Sequence, residues 1–273
     1  MKIAYTGWTW LVNHKDNYQW EFEQFLKEVA DIGYDSVENF AFITDYFDND
    51  AAKVAALLKQ YKLELVNMYL HFSAEPEKDY EKAVKFVDFM KRLGGVPYMN
   101  LQAPGWRDPP ADRPPDPDAI KSLADISNRV GKLCKENGIT ACFHPHYGTA
   151  IYHEEDIDIY EKLVNHDDVK LCIDTAHTAL AGMDPVKCFE KYGSRIAYVH
   201  LKDVDPVITE SPDRPLSRFR PLGYGTVDFK GVLKVLRSFN YDDVLCVELD
   251  RNPVCNYRSA QISREYIHNV LGL

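Results

Sequence analysis

Short apolar runs and longer amphipathic runs alternate eight times along this chain, and few architectures accept that rhythm. The strand-like runs are Ile3–Gly7, Ser36–Glu38, Leu63–Leu70, Tyr98–Gln102, Thr140–His144, Lys170–Asp174, Ile196–Leu201 and Val244–Glu248. The helix-like runs are Tyr18–Ile32, Asp50–Tyr61, Asp79–Leu93, Ile120–Asn137, Glu154–Val164, Pro185–Tyr192, Phe229–Phe239 and Ala260–Val270. Eight units in 273 residues average about 34 residues each, the length of a βαβ unit. The strand-like runs are near-continuous in Val, Ile and Leu, as in a parallel sheet covered on both faces. Helix stops at Gly33, Gly94-Gly95 and Gly138 precede the second, fourth and fifth strands, and Asp184-Pro185 reads as an N-cap followed by proline at the first helical position.

These features predict an α/β chain folded as a (β/α)8 barrel, one domain over residues 1–273. An open doubly wound sheet would call for a glycine-rich phosphate turn after its first strand, and here that turn is Gly7-Trp8-Thr9-Trp10. Neither GxGxxG nor GxxxxGK[ST] occurs, which disfavours nicotinamide and ATP sites of those types. Two proline-rich insertions, at about 104–118 and 205–223, follow the fourth and seventh strands. They are expected to be lids or pocket walls at the barrel mouth, or else rigid surface excursions.

Charge narrows the partners. With 32 Lys+Arg against 42 Asp+Glu the net charge is −10, and no run of five basic residues occurs, so neither nucleic acid nor an anionic membrane is an expected partner. No 18-residue apolar window and no signal-peptide pattern is seen, which predicts a cytoplasmic protein. The six cysteines, Cys134, Cys142, Cys172, Cys188, Cys246 and Cys255, form no CxxC pair. Three lie within strand-like runs as small buried hydrophobes, so neither a disulfide framework nor a zinc-finger site is expected.

The chemistry collects at the C-terminal ends of the strands, the face that carries barrel active sites. Those ends present Trp8 and Trp10, Glu38 and Asn39, Tyr69 and His71, Gln102 and Trp106, His144 and His146, Asp174 with His177, His200 and Lys202, and Glu248 and Asp250. Five of the nine histidines fall there; His14, His153, His166 and His268 are read as surface residues. Strand alternation puts His144 and His146 on one side, and His200 with Lys202 likewise. An ionised carboxylate ending a buried strand needs a partner. Asp174 and Glu248 converging with imidazoles make a ligand set for Mn, Co, Fe or Zn, and for Mg less well. Taken singly, Asp174 also reads as a helix N-cap. The aromatic residues suit either the core or stacking on a sugar ring.

The run Asp174-Thr175-Ala176-His177, then Val199-His200-Leu201-Lys202-Asp203, Pro221-Leu222-Gly223-Tyr224-Gly225-Thr226-Val227-Asp228-Phe229 and the strand ending in Glu248, resembles the xylose isomerase-like TIM barrel family of sugar isomerases, epimerases and inosose dehydratases. The resemblance spans nearly the whole chain. It implies metal-ligand roles for Asp174, His200 and Glu248 and a substrate contact for His177. The family's epimerases carry a glutamate where this chain has His144. The segment His144-Pro145-His146-Tyr147-Gly148-Thr149 is similar to the inosose dehydratase branch. His144 is therefore favoured over His146 as the fourth ligand.

Loss of that carboxylate removes the two-base arrangement that epimerisation needs, whereas elimination requires one base, a Lewis acid and a proton donor. The expected enzyme is a divalent-metal-dependent lyase that removes water from a keto-polyol or keto-sugar through an enolate. Glu248 is the expected base, and His177, His146 or Lys202 the acid. His146, Trp8, Tyr69, His71, Gln102 and Trp106 are expected to bind a small sugar or polyol. A sugar isomerase or epimerase using the same enediolate, a β-elimination on 3-keto-glycosides, and a non-catalytic sugar-binding barrel are the alternatives. A homo-oligomer is compatible with the family.

Overall fold

The computed structural model describes residues 1–12, 15–40, 42–105, 113–205, 218–251 and 255–273. Eight parallel strands close into a barrel: β1 (Lys2–Thr6), β2 (Ser36–Phe40), β3 (Glu64–His71), β4 (Tyr98–Gln102), β5 (Thr140–Phe143), β6 (Val169–Asp174), β7 (Ile196–Leu201) and β8 (Val244–Val247). Neighbours in sequence are neighbours in space, and β1 pairs with β8 from Lys2↔Val244 to Tyr5↔Val247 to complete the ring. The (β/α)8 expectation holds, with strand ends displaced by one or two residues.

Alternation along the strands separates two cores. One face points outward to the helices and carries Val37, Met68, Leu101, Phe143, Leu171, Val199 and Leu245. The other fills the barrel with Ala4, Val66, Cys142, Cys172, Tyr198, Val244 and Cys246. The three strand cysteines are these inner-barrel residues, and all six cysteines are free thiols. Each strand cysteine stands two positions before a polar strand end: Cys142 before His144, Cys172 before Asp174, Cys246 before Glu248. The same parity that buries the thiol aims the next inward residue at the barrel mouth.

Aspartates start many of the helices. Asp50, Asp116, Asp184 and Asp228 accept amide hydrogens from the first turns of Ala51–Tyr61, Pro117–Glu136, Pro185–Tyr192 and Phe229–Ser238. The helix expected from Asp79 begins at Pro76, and the last one begins at Asn256 and runs into a π-helical turn at Ile267–Leu271. Three helices at the mouth, Trp8–Leu11, Ile43–Tyr46 and Thr175–Leu180, were not expected; they are too short to show a helical period. Among the described residues no helix is long and apolar enough to cross a membrane.

A small antiparallel ribbon pairs Asp203↔Arg220 and Val204↔Phe219 and frames the loop after β7. Asp203 explains the glycines of that loop. Its carboxylate accepts from the amides of Val204, Gly223 and Gly225 at 2.9 Å and of Val227 at 3.1 Å. A Cβ on Gly225 would stand 2.3 Å from the Asp203 carboxylate, so only glycine admits the approach. Asp203→Ala strands these amides and is expected to lower unfolding free energy by at least about 2 kcal/mol, seen as a fall in the urea midpoint. An unchanged midpoint would remove Asp203 from this role. Residues 106–112 and 206–217, which make up most of the two expected lids or pocket walls, and His14, lie outside the described residues.

Candidate functional site

Four strand ends converge at the barrel mouth. One ligand atom from each of His144, Asp174, His200 and Glu248 lies within 4.8 Å of the others, and all four residues are buried. Register produces the meeting: Asp174 lies opposite His200, His200 lies opposite Cys246, and Glu248 is the second residue beyond Cys246. The amide of His144 donates to Leu101 O and that of Glu248 to Leu201 O, which extends the ladders past the strand ends.

His144, Asp174 and His200 each have one end anchored and the other turned into the cluster. The His144 Nδ1–H donates to Cys172 O at 3.1 Å, leaving Nε2 for the cluster. Asp174 Oδ1 accepts from the amides of Ala176 and His177 at 2.7 and 2.8 Å, capping the Thr175–Leu180 helix, while Oδ2 faces inward. The cap reading of Asp174 thus holds through Oδ1, and Oδ2 is left facing the cluster. His200 Nε2 lies 3.0 Å from Glu38 Oε2, and its Nδ1 lies 3.0 Å from Glu248 Oε2. His144 Nε2, Asp174 Oδ2, His200 Nδ1 and Glu248 Oε2 are buried without a well-directed hydrogen bond.

Lys202 is fully buried behind this set. Its ammonium lies 2.8 Å from Glu248 Oε2, 3.1 Å from Asp174 Oδ2, 3.1 Å from Asp250 Oδ2 and 3.0 Å from His177 Nε2, above the ring of Phe219. Burial alone would lower its pKa, but the three carboxylates more than offset this and hold it above the ordinary lysine value. Burial lowers His200 too; the acidic groups of Cys172, Glu248 and Glu38 outweigh it and hold the imidazole well above its usual value. Burial pushes the Asp174 carboxyl up to about 6. Burial and neighbouring imidazoles push His144 and His177 well below the usual histidine value, so both are neutral. A cluster of buried carboxylates that keeps a proton on His200 has room for more positive charge.

A cavity of about 430 Å³ opens above the cluster, lined by Trp8, Val12, Phe40, Tyr69, His71, Gln102, His146, Glu248, Asp250 and Arg251. Of the residues expected to bind substrate, Trp8, Tyr69, His71, Gln102 and His146 line it, and Trp106 lies outside the described residues. Trp8, Phe40, Tyr69 and His71 form one aromatic wall, with Phe40 and His71 stacked 5.5 Å apart at 12°. Trp10 belongs to the core instead: it packs on Tyr5 and Phe25 and donates from Nε1 to Glu28. Of the three expected acids, only His146 lines the cavity. Its ring lies against that of His177, centroids 3.7 Å apart and tilted by 42°, and His177 and Lys202 stand behind it. His146 groups with His144 and His177 but not with the two carboxylates. His153 is half-buried at a helix start, and His166 and His268 are exposed.

Sequence reasoning noted Glu38 and Asp250 as strand ends but gave them no part, and missed Asn100. Asn100 Nδ2 donates to Glu38 Oε2 at 3.3 Å from inside the barrel. Its position two before Gln102 on β4 was the available signal.

The family model described as xylose isomerase-like TIM barrel matches residues 26–266. An inosose dehydratase of Geobacillus kaustophilus is 27% identical over 272 residues, covering 91% of this chain and 87% of its own. A crystal structure of IolI protein with a bound zinc atom superposes with a TM-score of 0.76 at 17% identity, covering 100% of this chain and 98% of that one. A D-allulose 3-epimerase from Methylomonas sp. superposes with a TM-score of 0.77 at 19% identity, over 98% and 97% of the two chains. With its closed parallel barrel and a family match over most of its length, the chain belongs to the xylose isomerase-like TIM barrel family.

Proposed function

We propose that the protein is a divalent-metal-dependent lyase that removes water from a keto-polyol of the inosose class. The observation that carries this reading is the convergence of His144 Nε2, Asp174 Oδ2, His200 Nδ1 and Glu248 Oε2, four buried atoms without directed hydrogen bonds, beneath a cavity of carbohydrate size. Mixed imidazole and carboxylate donors favour Mn, Co, Fe or Zn over Mg. A divalent ion held there supplies Lewis acidity next to the substrate carbonyl. The relatives named inosose dehydratase support the substrate class.

The chain's own residues supply the remaining steps. Among the described residues Glu248 and Asp250 are the carboxylates that line the cavity, and Glu248 is also in the candidate ligand group, which supports it as the base. Glu248 takes the proton α to the carbonyl. His146 relays a proton to the departing β-hydroxyl: its Nδ1–H donates to Tyr147 O at 2.7 Å, so Nε2 is the atom that exchanges a proton, and because burial lowers its pKa it takes that proton from solvent before passing it on. Lys202 holds Glu248, Asp174 and Asp250 in place and balances their charge. The aromatic wall takes the C–H face of the substrate ring, and Gln102, oriented by the Tyr69 hydroxyl, takes ring hydroxyls. Trp8→Ala is expected to raise KM about tenfold with a smaller change in kcat, and steady-state kinetics read the split. A change in kcat alone would contradict the stacking role.

Ligand groups must shed their protons to bind a metal. His200 is held protonated, so Mn(II) binding at pH 7 is expected to release about one proton, measured by calorimetry in buffers of differing ionisation enthalpy. Asp174 ionises at about 6, so apparent affinity falls further as pH drops below that value. Affinity independent of pH between 5 and 8 would contradict the assignment.

A substrate panel on Mn(II)- or Zn(II)-loaded protein tests the reaction. Dehydration yields new enone or dione absorbance. Deuterium exchange from solvent with no new absorbance would instead indicate the isomerase or epimerase reading, for which His146 and Glu248 in one cavity provide two proton-transfer groups. Neither signal, with sugar binding retained, would leave a non-catalytic barrel.

A further inference from the structure

Glu38 stands where a carboxylate has no packing reason to be. It is fully buried on β2 and points into the barrel, next to an inner layer made of Ala4, Val66, Cys142, Cys172 and Cys246. A charge placed there is costly unless it is paired. Its side chain has two directed contacts among the described residues, both through Oε2: His200 Nε2 at 3.0 Å and Asn100 Nδ2 at 3.3 Å. Oε1 is buried with no hydrogen-bond partner, so Glu38 does not knit a wider polar network together. The two ends of the His200 ring do different work: Nε2 meets Glu38, and Nδ1 meets the Glu248 and Asp174 oxygens at 3.0 and 3.9 Å. An imidazole bound through one nitrogen is oriented, and its tautomer chosen, by what its other nitrogen donates to.

We infer that Glu38, itself held by Asn100, is a positioning residue for the metal centre: it fixes His200 in the Nε2–H tautomer and turns the Nδ1 lone pair into the ligand set. The inference rests on the metal reading given under Proposed function. Glu38 is not among the residues that line the cavity, and its contact with the ligand cluster is the one to His200 Nε2.

Mn(II) affinity by equilibrium dialysis tests this on the parent, Glu38→Ala and Glu38→Gln, with thermal melts of the ion-free proteins alongside. Glu38→Ala is expected to weaken Mn(II) binding about 10–100-fold. Glu38→Gln keeps an oxygen that accepts from Nε2–H, so it is expected to recover most of the loss and bind about 3–10-fold more weakly than the parent. A folded Glu38→Ala with parental affinity overturns the inference and leaves the metal reading intact. If Glu38→Ala does not fold, Glu38→Gln decides, and parental affinity in it overturns the inference. A parent protein that binds no Mn(II) overturns the metal reading and this inference together.

Discussion

Lys202→Met is expected to destabilise the ion-free protein by about 3–5 kcal/mol, the cost of removing one partner from a buried ion pair. Three carboxylates surround this ammonium within 3.1 Å, and among the described residues the His200 imidazolium is the other cation paired with them. Methionine fills much the same volume, so the loss is one of charge and not of packing. The account also fixes how the loss responds to metal. A divalent ion in the ligand set restores positive charge beside Asp174 and Glu248, so saturating Mn(II) should raise the melting temperature of Lys202→Met more than that of the parent. Equal gains in both proteins would mean that the ammonium and the ion do not share the same carboxylates.

Glu248→Gln is expected to cut turnover at least about a hundredfold, the lower end of what a positioned general base contributes. Glutamine preserves the shape and one donor oxygen, so ion binding weakens without being abolished, and the main loss falls on proton removal. Burial pushes the Glu248 carboxyl up, but His200 and Lys202 outweigh it and hold the group well below the usual carboxylate range. It is therefore ionised throughout the neutral range, the form a base must have. Deuterium exchange at the substrate α-carbon isolates the step: the variant should lose exchange and turnover together. Turnover at the parental level would end the assignment of Glu248 as base.

The barrel and most of its mouth were legible in the sequence because both depend on short-range rules. Strand parity reads directly from residues two apart, so Cys172 and Asp174, or Cys246 and Glu248, announce an inward apolar residue followed by an inward carboxylate. What parity cannot supply is depth. Glu38 and Asn100 share the inward parity of Asp174 and Glu248, but the stagger of the closed barrel decides which residues of other strands meet them. The pairing of Glu38 with His200, 162 residues away, is invisible before the ring closes. Trp10 was ambiguous for another reason. It follows β1 as Trp8 does, but the short helix Trp8–Leu11 turns the two indoles to different sides, one to the cavity and one to the core. Depth also separates the three expected acids, because His146 fronts the cavity while His177 and Lys202 back it.

The claim on which the rest depends is that His144, Asp174, His200 and Glu248 hold one divalent ion. Elemental analysis of the protein dialysed against Mn(II), with Asp174→Ala treated identically, tests it most directly. The account predicts roughly one ion per chain in the parent and none retained by the variant. A parent that retains no ion, or an Asp174→Ala protein that retains as much as the parent, would contradict it.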